Sequence, residues 1–218
     1  MVDVNTIQTR CANLLGTLPP HVTLIAVTKY ATPEMMRAAY AGGVRHFGEN
    51  RVQSAKEKRP ALADLTDVTW HMIGHLQTNK TRLALELFDW IHSVDRLALA
   101  QQLNQLLPES PHQPHLCLQV KLAPDPQKSG WTVEQLHQDL PQLTQLEHLD
   151  IRGLMTILPL GTTGTPALEL FKATASLAQH LRATFPQLQE LSMGMSQDYK
   201  EAIAAGATMI RIGSNLFL

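Results

Sequence analysis

The chain has 218 residues, and its 18 Lys and Arg against 19 Asp and Glu leave a formal net charge of -1. With 44% hydrophobic and 17% charged residues, it is neither a disordered chain nor one with a field strong enough to hold nucleic acid or an anionic membrane. No apolar run approaches the ~20 residues of a membrane span. Met1-Val2-Asp3-Val4-Asn5 lacks the basic and apolar regions of a secretion signal, so a cytoplasmic location is expected. Cys11 and Cys117 form no CxxC pair, which suits two buried thiols in a reducing compartment.

Strands and helices are expected to alternate along the chain. A helix over 5–15 precedes a first strand at 23–27. Further strands are expected at 44–47, 69–73, 90–94, 116–121, 151–157, 190–193 and 208–212. Helical periodicity fills the gaps at 33–41, 50–63, 79–88, 96–107, 133–146, 166–184 and 197–205. Thr32 before Pro33 reads as an N-cap with proline at the first helical position. Gly42-Gly43 and Gly206 fall where helices should stop. Alternation of this kind implies parallel strands with right-handed crossovers. Eight strands are the number that closes a (β/α)8 TIM-type barrel, here with an extra N-terminal helix. An open doubly wound sheet is the alternative. No linker divides the chain, so residues 1–218 read as one domain.

The first strand runs into Thr28-Lys29 at its carboxyl end, the end where the βα loops of a barrel converge. Alternation puts Ile25, Val27 and Lys29 on one side. An amine there suits reversible Schiff-base formation with a carbonyl, or it is a lysine snorkelling at a strand end. Strand seven is followed by Ser192-Met193-Gly194-Met195-Ser196, with Gly194 allowing close backbone approach and Ser196 expected as the next N-cap. Strand eight leads to Gly213-Ser214, a possible helix start. Barrels frequently bind phosphate at these two loops, although each bend also reads as an ordinary turn.

Arg211 should lie one layer below Gly213, inside the barrel, where a guanidinium requires a partner. Either a cofactor ring nitrogen or a structural Asp or Glu would serve. Asn50 reads as a helix N-cap that could also reach a ligand from the mouth. His71 reads as a core histidine, and His75 and Gln77 lie past a strand end. Lys128 reads as a solvated loop residue that could touch an anion.

Together the segments AVTK at 26–29, FGEN with VQ at 47–53, WHMIGHLQTNK at 70–80, GLMT at 153–156 and SMGMSQDYKEAIAAGATMIRIGSNLF at 192–217 resemble the pyridoxal phosphate homeostasis family, also described as alanine-racemase-N-terminal-like. The resemblance implies a fold-type III barrel binding pyridoxal 5'-phosphate (PLP). It makes Lys29 the Schiff-base lysine, Ser196, Gly213 and Ser214 phosphate contacts, Arg211 the partner of the pyridine nitrogen and Asn50 a mouth residue. It further implies a cytosolic carrier or regulator of vitamin B6, amino-acid and keto-acid balance without established turnover, with PLP-dependent apo-enzymes as possible recipients. The chain departs from the family at Phe217-Leu218, where a glycine commonly follows, and at Leu122 to Pro126, where the family is more polar.

The related racemases carry a further β-domain that brings a second acid/base group. Eight strands account for this whole sequence, so a monomeric binding protein is expected and a PLP-dependent amino-acid racemase is the alternative. Racemisation needs proton groups on both faces of a substrate, and nothing in the sequence places Tyr30, His71 or His75 opposite Lys29. An arginine at the pyridine nitrogen also weakens the electron sink that carbanion chemistry requires.

Overall fold

The computed structural model describes residues 3–218; Met1 and Val2, the start of the stretch read for a secretion signal, lie outside the described residues. Helix α1 (Val4–Thr17) leads into β1 (Thr23–Val27), α2 (Pro33–Ala41), β2 (His46–Glu49) and α3 (Val52–Lys58). The chain continues through β3 (Thr69–Met72), α4 (Thr81–Leu87), β4 (Trp90–Val94), α5 (Leu97–Leu106), β5 (His115–Val120) and α6 (Val133–Leu143). It finishes with β6 (Ile151–Thr156), α7 (Gly164–Leu181), β7 (Glu190–Ser192), α8 (Tyr199–Ala204), β8 (Met209–Ile212) and α9 (Ser214–Phe217).

The eight strands close into a barrel in sequence order, all parallel. Closure is visible at β1, where Ile25 pairs with His46 on one side and with Arg211 on the other. The open-sheet alternative is thereby excluded. Among the described residues, no helix is long and apolar enough to cross a membrane.

Several expected boundaries move. The helix expected over 50–63 is α3 followed by a 3-10 turn at Arg59–Leu62, because Pro60 has no N–H to continue the α ladder. The helix expected over 79–88 divides likewise into a 3-10 turn at Thr78–Lys80 and α4. Thr32 does cap α2, its Oγ1 accepting from the Met35 N–H at 3.4 Å.

Strand alternation sorts the side chains into two layers. Outward-facing residues such as Phe47 belong with Phe171, Leu85, Leu99 and Leu103 from the helices, and with Phe88 just past α4, to one continuous apolar sheath, all essentially buried. Burying such side chains is the main favourable term of the fold, at ~25 cal/mol per Å² of apolar surface. Inside the sheet the composition changes. His71, His92, Ser192 and Arg211 are all buried within the lumen, and one hydrogen bond, from β4 to β7, ties His92 to Ser192 across it. Both cysteines are free and buried. Burial pushes the Cys11 thiol up to about 11 and Cys117 further still, so neither is a ready nucleophile.

Candidate functional site

At the carboxyl ends of the strands lies a cavity of about 500 Å³. Lys29, Ser196, Gly213 and Ser214, from three different βα turns, all line it together with Arg211 of β8. Lys29 stands in a turn two residues beyond β1 and is exposed. Its Nζ lies 4.9 Å from the centroid of the Tyr30 ring, a cation–π contact.

The turn that carries Lys29 is braced from below. Lys58 Nζ donates to the Thr28 carbonyl at 2.7 Å and to Glu49 Oε1 at 2.8 Å. Thr28 Oγ1 donates to the same carboxylate oxygen at 2.7 Å. Glu49 is wholly buried, and its Oε2 has no hydrogen-bond partner among the described residues. This Glu49–Lys58 pair fixes the backbone immediately before the candidate lysine.

The two small-residue bends meet each other. Ser214 Oγ donates to Ser196 Oγ at 3.0 Å, and Asn215 Nδ2 donates to the Ser196 carbonyl at 3.3 Å. Gly194 has φ +93°, and a Cβ there would sit 2.6 Å from the Ala202 Cβ, so only glycine fits this turn. A Cβ on Gly213 would crowd Val27 at 3.2 Å. Asp198 Oδ1 accepts from the Met195 N–H at 2.6 Å and holds the first bend closed. Burial raises the Asp198 carboxyl above its ordinary range. Among the described residues, the backbone N–H groups of Ser196, Gln197, Ser214 and Asn215 donate to no protein acceptor. Two hydroxyls and a set of unused N–H donors on one wall form a cradle suited to an anion.

Arg211 forms the floor and is 3% exposed. Its Nη1 donates to Ser192 Oγ at 2.7 Å and its Nη2 to the Thr156 carbonyl at 2.8 Å. No carboxylate lies within salt-bridge distance among the described residues, which removes the structural Asp or Glu from the two partners the sequence left open. Burial pushes the guanidinium down to about 10, and it remains charged at neutral pH.

Three sequence expectations change here. Ser196 is not the cap of the following helix: Asp198 occupies that position and α8 begins at Tyr199. The turn at Met195 and the Asp198 carboxylate complete the bend first, which leaves the Ser196 hydroxyl facing Ser214. Asn50 is not an N-cap, since α3 begins one residue later with Arg51 at the cap. Asn50 lines a second cavity of about 360 Å³ with His75 and Lys80, away from Lys29. Lys128 is not a solvated residue. Its amine is 3.1 Å from Asp125 and also donates to the Leu158 carbonyl, and it lines the main cavity.

Sequence reading missed the Thr28–Glu49–Lys58 brace, although Glu49 sits in the quoted FGEN segment. It also missed Ser192 and His92, whose only signal is that alternation turns them into the lumen.

The alanine racemase N-terminal domain family matches residues 2–218. A pyridoxal phosphate homeostasis protein of Synechocystis sp. is 50% identical over 207 residues, spanning 94% of this chain and 95% of its own length. The chain belongs to the pyridoxal phosphate homeostasis protein family. The Escherichia coli K12 member is 36% identical over 216 residues, spanning 98% of this chain and 91% of its own. The structure of PipY from Synechococcus elongatus with PLP bound superposes with a TM-score of 0.92 at 51% identity, covering 97% of this chain and all of that one. Alanine racemase of E. faecalis, at 19% identity and a TM-score of 0.68, shares the fold and is covered over 58% of its length.

Proposed function

We propose that this protein binds pyridoxal 5'-phosphate reversibly and acts as a carrier or regulator in vitamin B6 and amino-acid balance, rather than as an enzyme with turnover. The observation that carries the reading is the convergence of an amine, an anion cradle and a buried arginine on one cavity. The residues fit the group: Ser196, Ser214 and the free N–H donors suit the phosphate, Arg211 suits a neutral ring nitrogen, and Lys29 suits the carbonyl. PLP-bound PipY and the relatives named as homeostasis proteins support it. Bound there, PLP supplies an aldehyde that an amine captures reversibly.

Each residue then has a defined task. Lys29 would hold the cofactor through its amine on an exposed turn, so exchange would need no opening of the fold. The two bends would hold the phosphate with hydroxyl and backbone N–H donors, without a cation of their own. Arg211, already charged, would donate to the ring nitrogen and oppose its protonation, which would remove the main source of carbanion stabilisation. Tyr30 lies beside Lys29, His71 is inside the barrel and His75 lines the other cavity, so none of the three stands across the site from Lys29. We infer further that the protein works in the cytoplasm as a monomer of one barrel domain, with PLP-dependent apo-enzymes as recipients.

Purified protein mixed with PLP is expected to gain a visible absorbance band, to lose it on borohydride reduction with the cofactor fixed to the chain, and to show none in Lys29→Ala. A Lys29→Ala protein that still fixes the cofactor covalently overturns the assignment. Deuterium wash-in at the α-carbon of alanine or serine is expected to stay at the level of free PLP; turnover lost in Lys29→Ala would make this a racemase-type enzyme.

A further inference from the structure

Arg211 is the visible end of a longer arrangement. Ser192 Oγ, which accepts from Arg211, is 2.8 Å from His92 Nδ1. His92 Nε2 is 2.8 Å from His71 Nδ1. His71 Nε2 is 3.0 Å from His46 Nδ1, on a partly buried side chain. Four side chains from β7, β4, β3 and β2 therefore link the cavity floor to the first residue of β2. His71 and His92 are buried, and so is Ser192.

Hydrogen-bond bookkeeping fixes the direction of this chain. A guanidinium can only donate, so Arg211 gives a proton to Ser192 Oγ and cannot take one back. If His92 Nδ1 also donated to that oxygen, the Ser192 O–H would have no acceptor among its partners in the described residues, a costly state for a buried hydroxyl. The satisfied arrangement runs one way: Ser192 O–H to His92 Nδ1, His92 Nε2–H to His71 Nδ1, His71 Nε2–H to His46 Nδ1. It requires all three imidazoles neutral and in the Nε2–H form. Burial supports this, since it holds His92 at about 3 and lowers His71 and His46 as well. Charge would be costly there, because Arg211 already places a cation in the same lumen.

We propose that Ser192, His92, His71 and His46 are positioning residues for Arg211: an uncharged, one-way chain of hydrogen bonds that sets how the guanidinium faces the cofactor cavity. The proposal rests on the PLP-binding reading for its purpose, not for its geometry. Arg211 carries no carboxylate partner that would fix its tilt. The Thr156 carbonyl holds Nη2 and the Ser192 hydroxyl holds Nη1 instead, and the orientation of that hydroxyl is fixed by the histidines behind it. A carboxylate in that place would cancel the charge meant for the ring nitrogen, whereas a neutral acceptor holds the group and leaves the charge available.

Two measurements test it. In cofactor-free protein with ¹⁵N-labelled histidine, ring correlations assigned through single His→Asn variants are expected to show His46, His71 and His92 neutral at pH 7 with the proton on Nε2. A charged ring, or the proton on Nδ1 of His92 or His71, overturns the proposal whether or not PLP binds. In titrations with PLP, Ser192→Ala and His92→Leu are each expected to bind about tenfold more weakly and to shift the visible band, since a hydrogen bond to a charged group is lost or disordered. His92→Asn keeps an acceptor near the Nδ1 position and is expected to stay within about twofold of wild type. Equal loss in His92→Leu and His92→Asn, with both folded by circular dichroism, would mean that the ring only packs, and the proposal fails. Absence of PLP binding by the unaltered protein would sink the functional reading instead and leave the ring measurement to decide the chain.

Discussion

The sheath outside the barrel sheet and the lumen inside it are built from the same eight strands but by opposite rules. The sheath is continuous hydrocarbon between sheet and helices, with Phe47, Phe88 and Phe171 the largest of its fully buried side chains. The lumen holds an arginine, a serine and histidines, nearly all buried. The first layer supplies stability by area. The second joins its polar atoms to one another, fixing a charge at the cavity floor. A barrel thus separates the two tasks across the thickness of one sheet, because alternate residues face opposite ways.

The sharpest test of that division is truncation in the sheath. Phe47→Ala is expected to destabilise the fold by about 3–5 kcal/mol, read from the urea midpoint, while the fraction that stays folded binds PLP normally. Weakened binding with an unchanged midpoint would reverse the division. The polar exception in the sheath comes next. Lys58→Met leaves Glu49 as a buried carboxylate without its cation, with an expected cost of about 3 kcal/mol. Because Lys58 also holds the Thr28 carbonyl, reaction of Lys29 with PLP should slow in the same variant, and Lys58→Arg should restore part of both.

Acid is the third probe, and it addresses the lumen. Burial lowers His71 and His46 below the ordinary histidine value and His92 to about 3. The unfolded chain takes up protons at these rings below pH ~6.5 and the folded chain does not. Stability is therefore full above that pH and is lost as pH falls toward the folded values, by up to ~1.4 kcal/mol per pH unit for each ring. Asp198, whose carboxyl is raised, works weakly in the opposite sense near its own range. A urea midpoint that stays flat between pH 6.5 and 5 would show the rings to be charged in the folded state. The smallest effect is expected from Arg211→Met. Its partners are neutral oxygens, so the fold should change by no more than about 1 kcal/mol, while PLP binding weakens measurably.

The alternation of β-branched runs with amphipathic stretches determined the barrel, since a parallel strand buried on both faces needs a crossover helix after every pass. The same pattern placed Lys29, Gly213-Ser214 and the bend at Gly194 at the carboxyl rim, because strand ends can be read directly from local sequence. Local sequence alone misplaced Ser196 and Asn50 as caps. Cap choice depends on which neighbouring side chain completes the turn, and Asp198 and Arg51 took those positions.

Only the closed tertiary structure decided that three separate turns share one cavity, that Asn50 belongs to another, and that Arg211 rests on neutral oxygens instead of a carboxylate. It also decided the partners of Glu49 and the line of side chains from Ser192 to His46. Those contacts join residues 9 to 100 positions apart. Sequence periodicity records which face a side chain occupies. Which side chains meet across the lumen is set by strand order, stagger and closure, which exist only once the sheet has curled on itself.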